Sequence, residues 1–334
     1  MIRFFKIVRY NEWFDSKWNI YFYVFLLFLI RHMDMANFFY IKALTAIMAF
    51  SFFLLAFGYA FNEFSDTKED LLAGKTNHIA QLSKTEQHLF ILGIFTVGTT
   101  LPILLFPYLG MIIIVFVSFL MAFIYSYRQF GIKQCGLLGL AVSSLAQRVC
   151  PMFAIFYIFE DWTITAVLVA LLSFIIGLRW ILIHQAEDLG NDKLSHTKTF
   201  VISLNNESKL IKIVTSAFIC EILSLVTILI LNVRFSLALI IPFTYLAFQL
   251  FVLPFWRKIG WKRMILSYDF APLADFYYLW SGIYLAMALT LRYYFFSLLF
   301  FPTLYFGYRY LILDYKYVKM NNDANKGILT PPKT

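Results

Sequence analysis

The chain has 334 residues, is 61% hydrophobic and 20% aromatic, and carries only 14% charged residues, with a formal net charge of +9. A soluble domain has roughly 45–50% apolar and about 25% charged residues, so this composition excludes a soluble globular fold and requires lipid around the chain. The positive charge does not mark a nucleic-acid partner, because the basic residues are spread between apolar stretches rather than gathered on one face.

From Met1 to Lys17 the chain mixes basic, aromatic and acidic residues, with no small-residue cleavage site before the first apolar run, which argues against a removable signal. A crossing helix needs about 20 mostly apolar residues. By that test spans lie near 18–31, 38–61, 88–107, 111–126, 136–158, 162–183, 210–232 and 235–255. The apolar stretch 275–313, interrupted by Arg292, supplies one or two more. The predicted fold is all-α, a polytopic membrane protein with nine or ten transmembrane helices. The segment 321–334 is a polar tail with Pro331 and Pro332, expected to be disordered. Cys135, Cys150 and Cys220 lie in or beside apolar segments at no metal-ligand spacing, and they imply no disulfide framework.

The connections alternate in character. Pro107–Gly110, Glu160-Asp161 and Asn232–Arg234 are short. The other set is longer and basic, with Lys68, Lys75 and Lys84, then Arg128 and Lys133, then Lys193, Lys198 and Lys209, then Arg257, Lys258, Lys262 and Arg263. The positive-inside rule places this set and the N-terminus in the cytoplasm, with a bacterial inner membrane as the expected location. Lysines in the tail favour a cytoplasmic C-terminus, which needs an even number of spans; nine spans would place it outside.

Two of the cytoplasmic connections carry acids at helical spacing. Asn62, Asp66 and Asp70 stand at i, i+4 and i+8 as span 2 leaves the membrane, and Asp188 and Asp192 stand at i and i+4 after span 6. Such residues share one helix face. Stacked carboxylates repel one another and need a compensating cation. Magnesium prefers oxygen ligands and is commonly held by one or two carboxylates plus substrate phosphates. Between the two motifs runs Tyr125-Ser126-Tyr127-Arg128-Gln129-Phe130-Gly131-Ile132-Lys133, whose Arg128 and Lys133 suit the oxygens of a diphosphate.

These residues carry a resemblance. In order and spacing the chain resembles the UbiA superfamily of intramembrane prenyltransferases over nearly its whole length. Asn62, Asp66 and Asp70 match the family's first acidic motif, Tyr125 to Lys133 with Leu138-Gly139 match its middle motif, and Asp188, Asp192 and Thr199 match its second. Glu63 stands where the family has a second Asp, Tyr127-Arg128 where it has Pro-Pro, and Lys75-Thr76-Asn77-His78 in the region of its Arg-Pro.

The resemblance implies helices bundled around a central cavity, one catalytic domain over 1–320, and transfer of an isoprenoid chain from a polyprenyl diphosphate to a lipophilic, by default aromatic, acceptor. It implies Asp66, Asp70, Asp188, Asp192 and Lys133 as catalytic residues. Asn62 and those four aspartates would hold Mg2+, and Asn62, Arg128, Tyr125, Lys75 and Arg148 would contact substrate. A terpene cyclase of the same fold, or a sugar-phosphate, glycerol-phosphate or carotenoid acceptor, stays open. A carrier would show internal repeats with helices interrupted near the midplane, whereas here the acids lie at one face. Ionisable groups inside spans are costly, so Arg148, with Gln147, and Arg179 are expected either to line the cavity or to satisfy backbone carbonyls or a neighbouring helix.

Overall fold

Apolar segments in hydrocarbon must satisfy their own backbone N–H and C=O groups, and the helix does this within one segment. The structure, a computed structural model, describes residues 2–32, 37–72, 74, 76–194, 197–232, 239–267, 273–308, 310, 311 and 319. Among these every regular element is a helix. Residues 1–231 and 232–334 form two compact units.

In the first unit α1 (Ile2–Ile7) is followed by a 3-10 turn (Tyr10–Glu12) and a π-helical turn (Phe14–Trp18) that runs straight into α2 (Asn19–Arg31). Helices α3 (Asn37–Ser65) and α4 (Thr67–Leu72) continue one another across Asp66. A capping box between Ser83 and Glu86 starts α5 (Lys84–Leu105), and α6 (Leu109–Ser126) returns after a short turn. Then α7 (Leu137–Ser144), a second π turn (Leu145–Val149) and α8 (Cys150–Ile158) make one helical run. Helix α9 (Ile164–Glu187) leads across Asp188 into α10 (Leu189–Leu194), and α11 (Phe200–Leu204) and α12 (Glu207–Leu231) complete the unit.

Among the described residues six helices are long and apolar enough to cross a membrane: Phe38–Ser65, Lys84–Leu105, Leu109–Ser126, Leu137–Ile158, Ile164–Glu187 and Glu207–Leu231. They coincide with the second to seventh expected spans. The first expected span is the 13-residue α2, lengthened at its start by the π turn. Every residue of α2 from Asn19 to Ile30 is buried, as befits a helix that is hydrophobic all round. By contrast Leu89, Leu104, Ile113, Phe116, Leu120, Leu223 and Ile230 project outward from α5, α6 and α12. So much exposed apolar surface is a lipid-facing wall, and the protein is an integral membrane protein.

Two polar clusters fasten these helices. Arg179 on α9 donates to Glu221 on α12 through Nε at 2.5 Å and Nη2 at 2.9 Å, and both side chains are completely buried. In the α8–α9 turn Asp161 accepts from Arg31 Nε at 2.8 Å, His32 Nε2 at 2.8 Å and Thr163 Oγ1 at 2.5 Å. Burial would push the Asp161 carboxyl up, but the hydrogen bonds from Thr163, His32 and Arg31 outweigh it and hold the group below the usual carboxylate range.

The second unit contains α13 (Ile240–Ile259), α14 (Trp261–Ile265) after Gly260, a π turn (Phe276–Trp280) and α15 (Ser281–Arg292). A further apolar helical segment covers Phe296–Tyr308. The expected interruption at Arg292 is present, since α15 ends there. Asp275 fastens this unit by accepting from Tyr245 Oη at 3.0 Å and Gln249 Nε2 at 3.1 Å. The start of the span expected at 235–255 and the whole of the tail 321–334 lie outside the described residues.

Candidate functional site

The first acidic motif keeps its helical register through the junction of α3 and α4. Asp66 N donates to Asn62 O at 2.8 Å and Asp70 N to Asp66 O at 2.9 Å, so all three side chains lie along one face. The second motif does the same where α9 meets α10, with Asp188 N on His184 O and Asp192 N on Asp188 O, both at 2.9 Å. His184 Nε2 also lies 3.6 Å from Asp188 Oδ2.

The middle motif delivers Lys133. After α6 the chain makes two 3-10 turns, Arg128–Phe130 and Ile132–Gln134, hinged at Gly131, whose φ of 62° a side chain would oppose. Lys133 Nζ then reaches the first motif, donating to Asp66 Oδ2 and, at 3.3 Å, to Asn62 Oδ1. Enclosure would pull the Lys133 amine down, but Asp66, with Tyr125 and Asp70 nearby, holds it above the ordinary lysine value. The amine therefore stays charged at neutral pH.

All of these groups face one cavity of about 370 Å³, lined by Asn62, Asp66, Asp70, Tyr125, Lys133, Asp188 and Asp192 among others. Seven of the ten expected site residues are thus brought together. The Arg128 side chain and Lys75 lie outside the described parts of the structure. Arg148 does not line this cavity and sits in a separate buried cluster.

Several residues in and beside the cavity have no role expected from the sequence. Glu63 is buried and accepts the backbone N–H groups of His78 at 3.1 Å and Ile79 at 3.2 Å, so it pins the loop after the first motif to α3. Asn77 completes the clamp by donating to Glu63 O at 2.7 Å and Asp70 Oδ2 at 2.8 Å. Arg9 and Glu12 also face the cavity, joined by a two-pronged ion pair at 2.6 and 2.7 Å. In sequence they look like juxtamembrane charge, and only the fold brings them to the acids. Glu63 had a signal in its position beside Asn62, but its burial was not legible.

The donor set suits a hard divalent cation, because Asn62, Asp66, Asp70, Asp188 and Asp192 offer oxygen alone. Among the described residues no three carboxylate, imidazole or thiol groups converge closely enough to hold an ion unaided. That fits magnesium, which takes few protein ligands and completes its shell with water and phosphate oxygens. Thr199 points to the same anion. Its hydroxyl is buried in the cavity wall without a hydrogen-bond partner among the described residues. Buried hydroxyls rarely go unpaired, so this one is placed to meet a ligand oxygen.

The profile of the UbiA prenyltransferase family matches residues 20–271. The chain belongs to the UbiA prenyltransferase family. Two solved structures share its fold, those of a UbiA homolog from Archaeoglobus fulgidus bound to GPP and Mg2+ and to DMAPP and Mg2+. Each has a TM-score of 0.59 at 12% identity and covers 86% of this chain and 98% of its own. No curated protein matches the chain at a significant level. As a UbiA-family prenyltransferase, the protein is a membrane-embedded transferase of isoprenoid groups.

Proposed function

We propose that the protein is a magnesium-dependent enzyme that moves an isoprenoid chain from a polyprenyl diphosphate to a lipophilic acceptor, aromatic by default, and releases diphosphate. The observation that carries this is the convergence on one cavity of both acidic motifs, Lys133 and the Thr199 hydroxyl, which has no hydrogen-bond partner among the described residues. The A. fulgidus homologs, bound to allylic diphosphates with Mg2+, support the choice of donor and metal.

In this reading Asn62, Asp66, Asp70, Asp188 and Asp192 would hold magnesium together with the diphosphate in the cavity they line. Bound magnesium supplies the positive charge that lets the carboxylates and the diphosphate share the cavity. Lys133 and Thr199 donate to diphosphate oxygens. The C1–O bond of the donor breaks with its electron pair going to the diphosphate, and Lys133 stabilises the charge that develops there. The allylic carbon, now electron-poor, bonds to a nucleophilic atom of the acceptor, which gives up a proton. Enclosure within the helices keeps water from the cation.

Charge asymmetry between the loops supports a bundle of nine or ten spans with the N-terminus and both acidic motifs on the cytoplasmic side. The family match crosses from the first unit into the second, which supports one catalytic domain over 1–320. The test is turnover of geranyl diphosphate in detergent, with acceptors resolved by mass spectrometry, comparing the unmodified protein with Asp66→Ala and Asp192→Ala. Unchanged diphosphate release in both variants would refute the assignment.

A further inference from the structure

Glu63 and Asn77 both lie where the chain departs from the family's motifs, and the structure joins them. The Glu63 carboxylate accepts from the backbone of His78 and Ile79, and Asn77 Nδ2 returns to Glu63 O, so the loop after α4 is tied to the last turn of α3. Asn77 is 5% exposed, and both polar atoms of its side chain are engaged. Its Oδ1 accepts from Ala80 N at 3.0 Å, which fixes the way the amide faces. The two Nδ2 hydrogens then go to Glu63 O at 2.7 Å and Asp70 Oδ2 at 2.8 Å.

The amide is thus a fixed donor to one oxygen of Asp70. Turned over, it would set its own oxygen against Glu63 O and Asp70 and leave the Ala80 N–H without an acceptor, and buried groups so mismatched are costly. Asp70 lines the diphosphate cavity, and among the described residues its Oδ1 accepts no hydrogen bond. One oxygen of this carboxylate is therefore committed to the protein, and the other is left for a ligand.

Asp66, one helical turn earlier, is engaged in the same way, with Lys133 on its Oδ2. The two donors differ in what they can do next. Lys133 stands on a flexible stem and has the oxygens of a diphosphate to turn to. Asn77 has no such alternative, because each of its hydrogens already meets a buried or half-buried acceptor. Asp70 accordingly keeps a single free oxygen whether or not a ligand is present.

We infer that Asn77 is a positioning residue that makes Asp70 a one-oxygen metal ligand and so tunes the site to magnesium over calcium; the inference rests on the prenyltransferase reading above. Magnesium demands a near-regular octahedron at about 2.0–2.1 Å. The two oxygens of one carboxylate lie too close together to fill adjacent corners of it, so each carboxylate enters through one. Calcium gathers about 6–8 oxygens at about 2.3–2.6 Å in a flexible shell and takes carboxylates through both oxygens. Holding Oδ2 on Asn77 denies calcium a ligand that magnesium does not use.

The test uses the full-length protein in detergent with geranyl diphosphate and no acceptor, and reads thermal unfolding against the concentration of MgCl2 or of CaCl2. In the unmodified protein the half-maximal concentration of magnesium should lie below that of calcium. Asn77→Leu keeps the branched shape and removes the donor, and should move the ratio of the two concentrations at least tenfold toward calcium. Asn77→Asp keeps the acceptor for Ala80 N and loses only the donor; it should move the ratio the same way and serves where the Leu variant folds poorly. Gln87→Leu removes the bonds from Gln87 Nε2 to Ile79 O at 3.1 Å and Leu82 O at 2.9 Å, which loosens the loop without touching Asn77, and should leave the ratio unmoved. Equal half-maximal concentrations in the unmodified protein, a ratio unmoved by both Asn77 substitutions, or one moved as far by Gln87→Leu overturns the inference alone, since the donor still binds with metal. No response to geranyl diphosphate with either ion in the unmodified protein would overturn the prenyltransferase reading and the inference with it.

Discussion

The Arg179–Glu221 pair makes a quantitative prediction because it is wholly enclosed. Both side chains are fully buried, and two hydrogen bonds join them in a fork. Arg179 also packs within 5.5 Å of the Phe218 ring centre and 5.4 Å of Trp180's. Removing either partner leaves an uncompensated buried charge, which costs about 3–5 kcal/mol, whereas replacing both by apolar groups of similar volume is often neutral. Arg179→Met and Glu221→Leu should therefore each lose about 3–5 kcal/mol, and the double variant should recover most of it. The assay is unfolding in mixed detergent and SDS micelles followed by tryptophan fluorescence, with the four proteins forming a double-mutant cycle. A double variant as unstable as the sum of the singles would refute the reasoning, since the two residues would then act independently. Neither residue lines the diphosphate cavity, so folded double variant should turn over normally.

Four further outcomes follow from the site and its surroundings. Asp66→Ala and Asp192→Ala should each lower magnesium-dependent diphosphate release by about 100-fold or more, in the range seen when a charge-stabilising group is removed. Lys133→Met should lower kcat by about 100-fold, with Lys133→Arg restoring part of it, both read from single-turnover release of diphosphate. Thr199→Val keeps the shape and removes the donor, so the KM for geranyl diphosphate should rise about tenfold, the value of roughly one hydrogen bond of about 1.4 kcal/mol. Asp161 has a folded pKa below its unfolded value near 4, so its stabilising effect is present above about pH 4 and lost as pH falls below it. Asp161→Asn should thus lower the unfolding temperature at pH 7, and the difference from the unmodified protein should narrow below about pH 4.

The parts of the site legible in the sequence are those set by helical period. Spacing alone put Asp66 over Asp70 and Asp188 over Asp192, because a helix leaving the membrane keeps its 3.6-residue turn through both junctions. Contacts between distant segments were not legible. Nothing local tells that Lys133 grips Asp66 or that Asn77 holds Asp70, and Arg9 and Glu12 read as ordinary topological charge until the fold carries them to the cavity. The long spans were equally plain from composition. The length of α2 was not, because its apolar run opens with a π turn containing a lysine that hydropathy treats as a boundary.

Those π turns bear on how the protein tolerates change. A π turn is an α-helix carrying one residue too many, and an α-helix advances about 100° per residue. Deleting a single residue from Leu145–Val149 would restore a plain helix and rotate everything beyond it by that angle. Met152, Ala154 and Ile155 of α8, now buried, would swing away from the partners they pack against. Point substitutions in this turn alter one contact, whereas a one-residue deletion unscrews a whole helix from its neighbours. Length, more than identity, is what these two segments have to preserve.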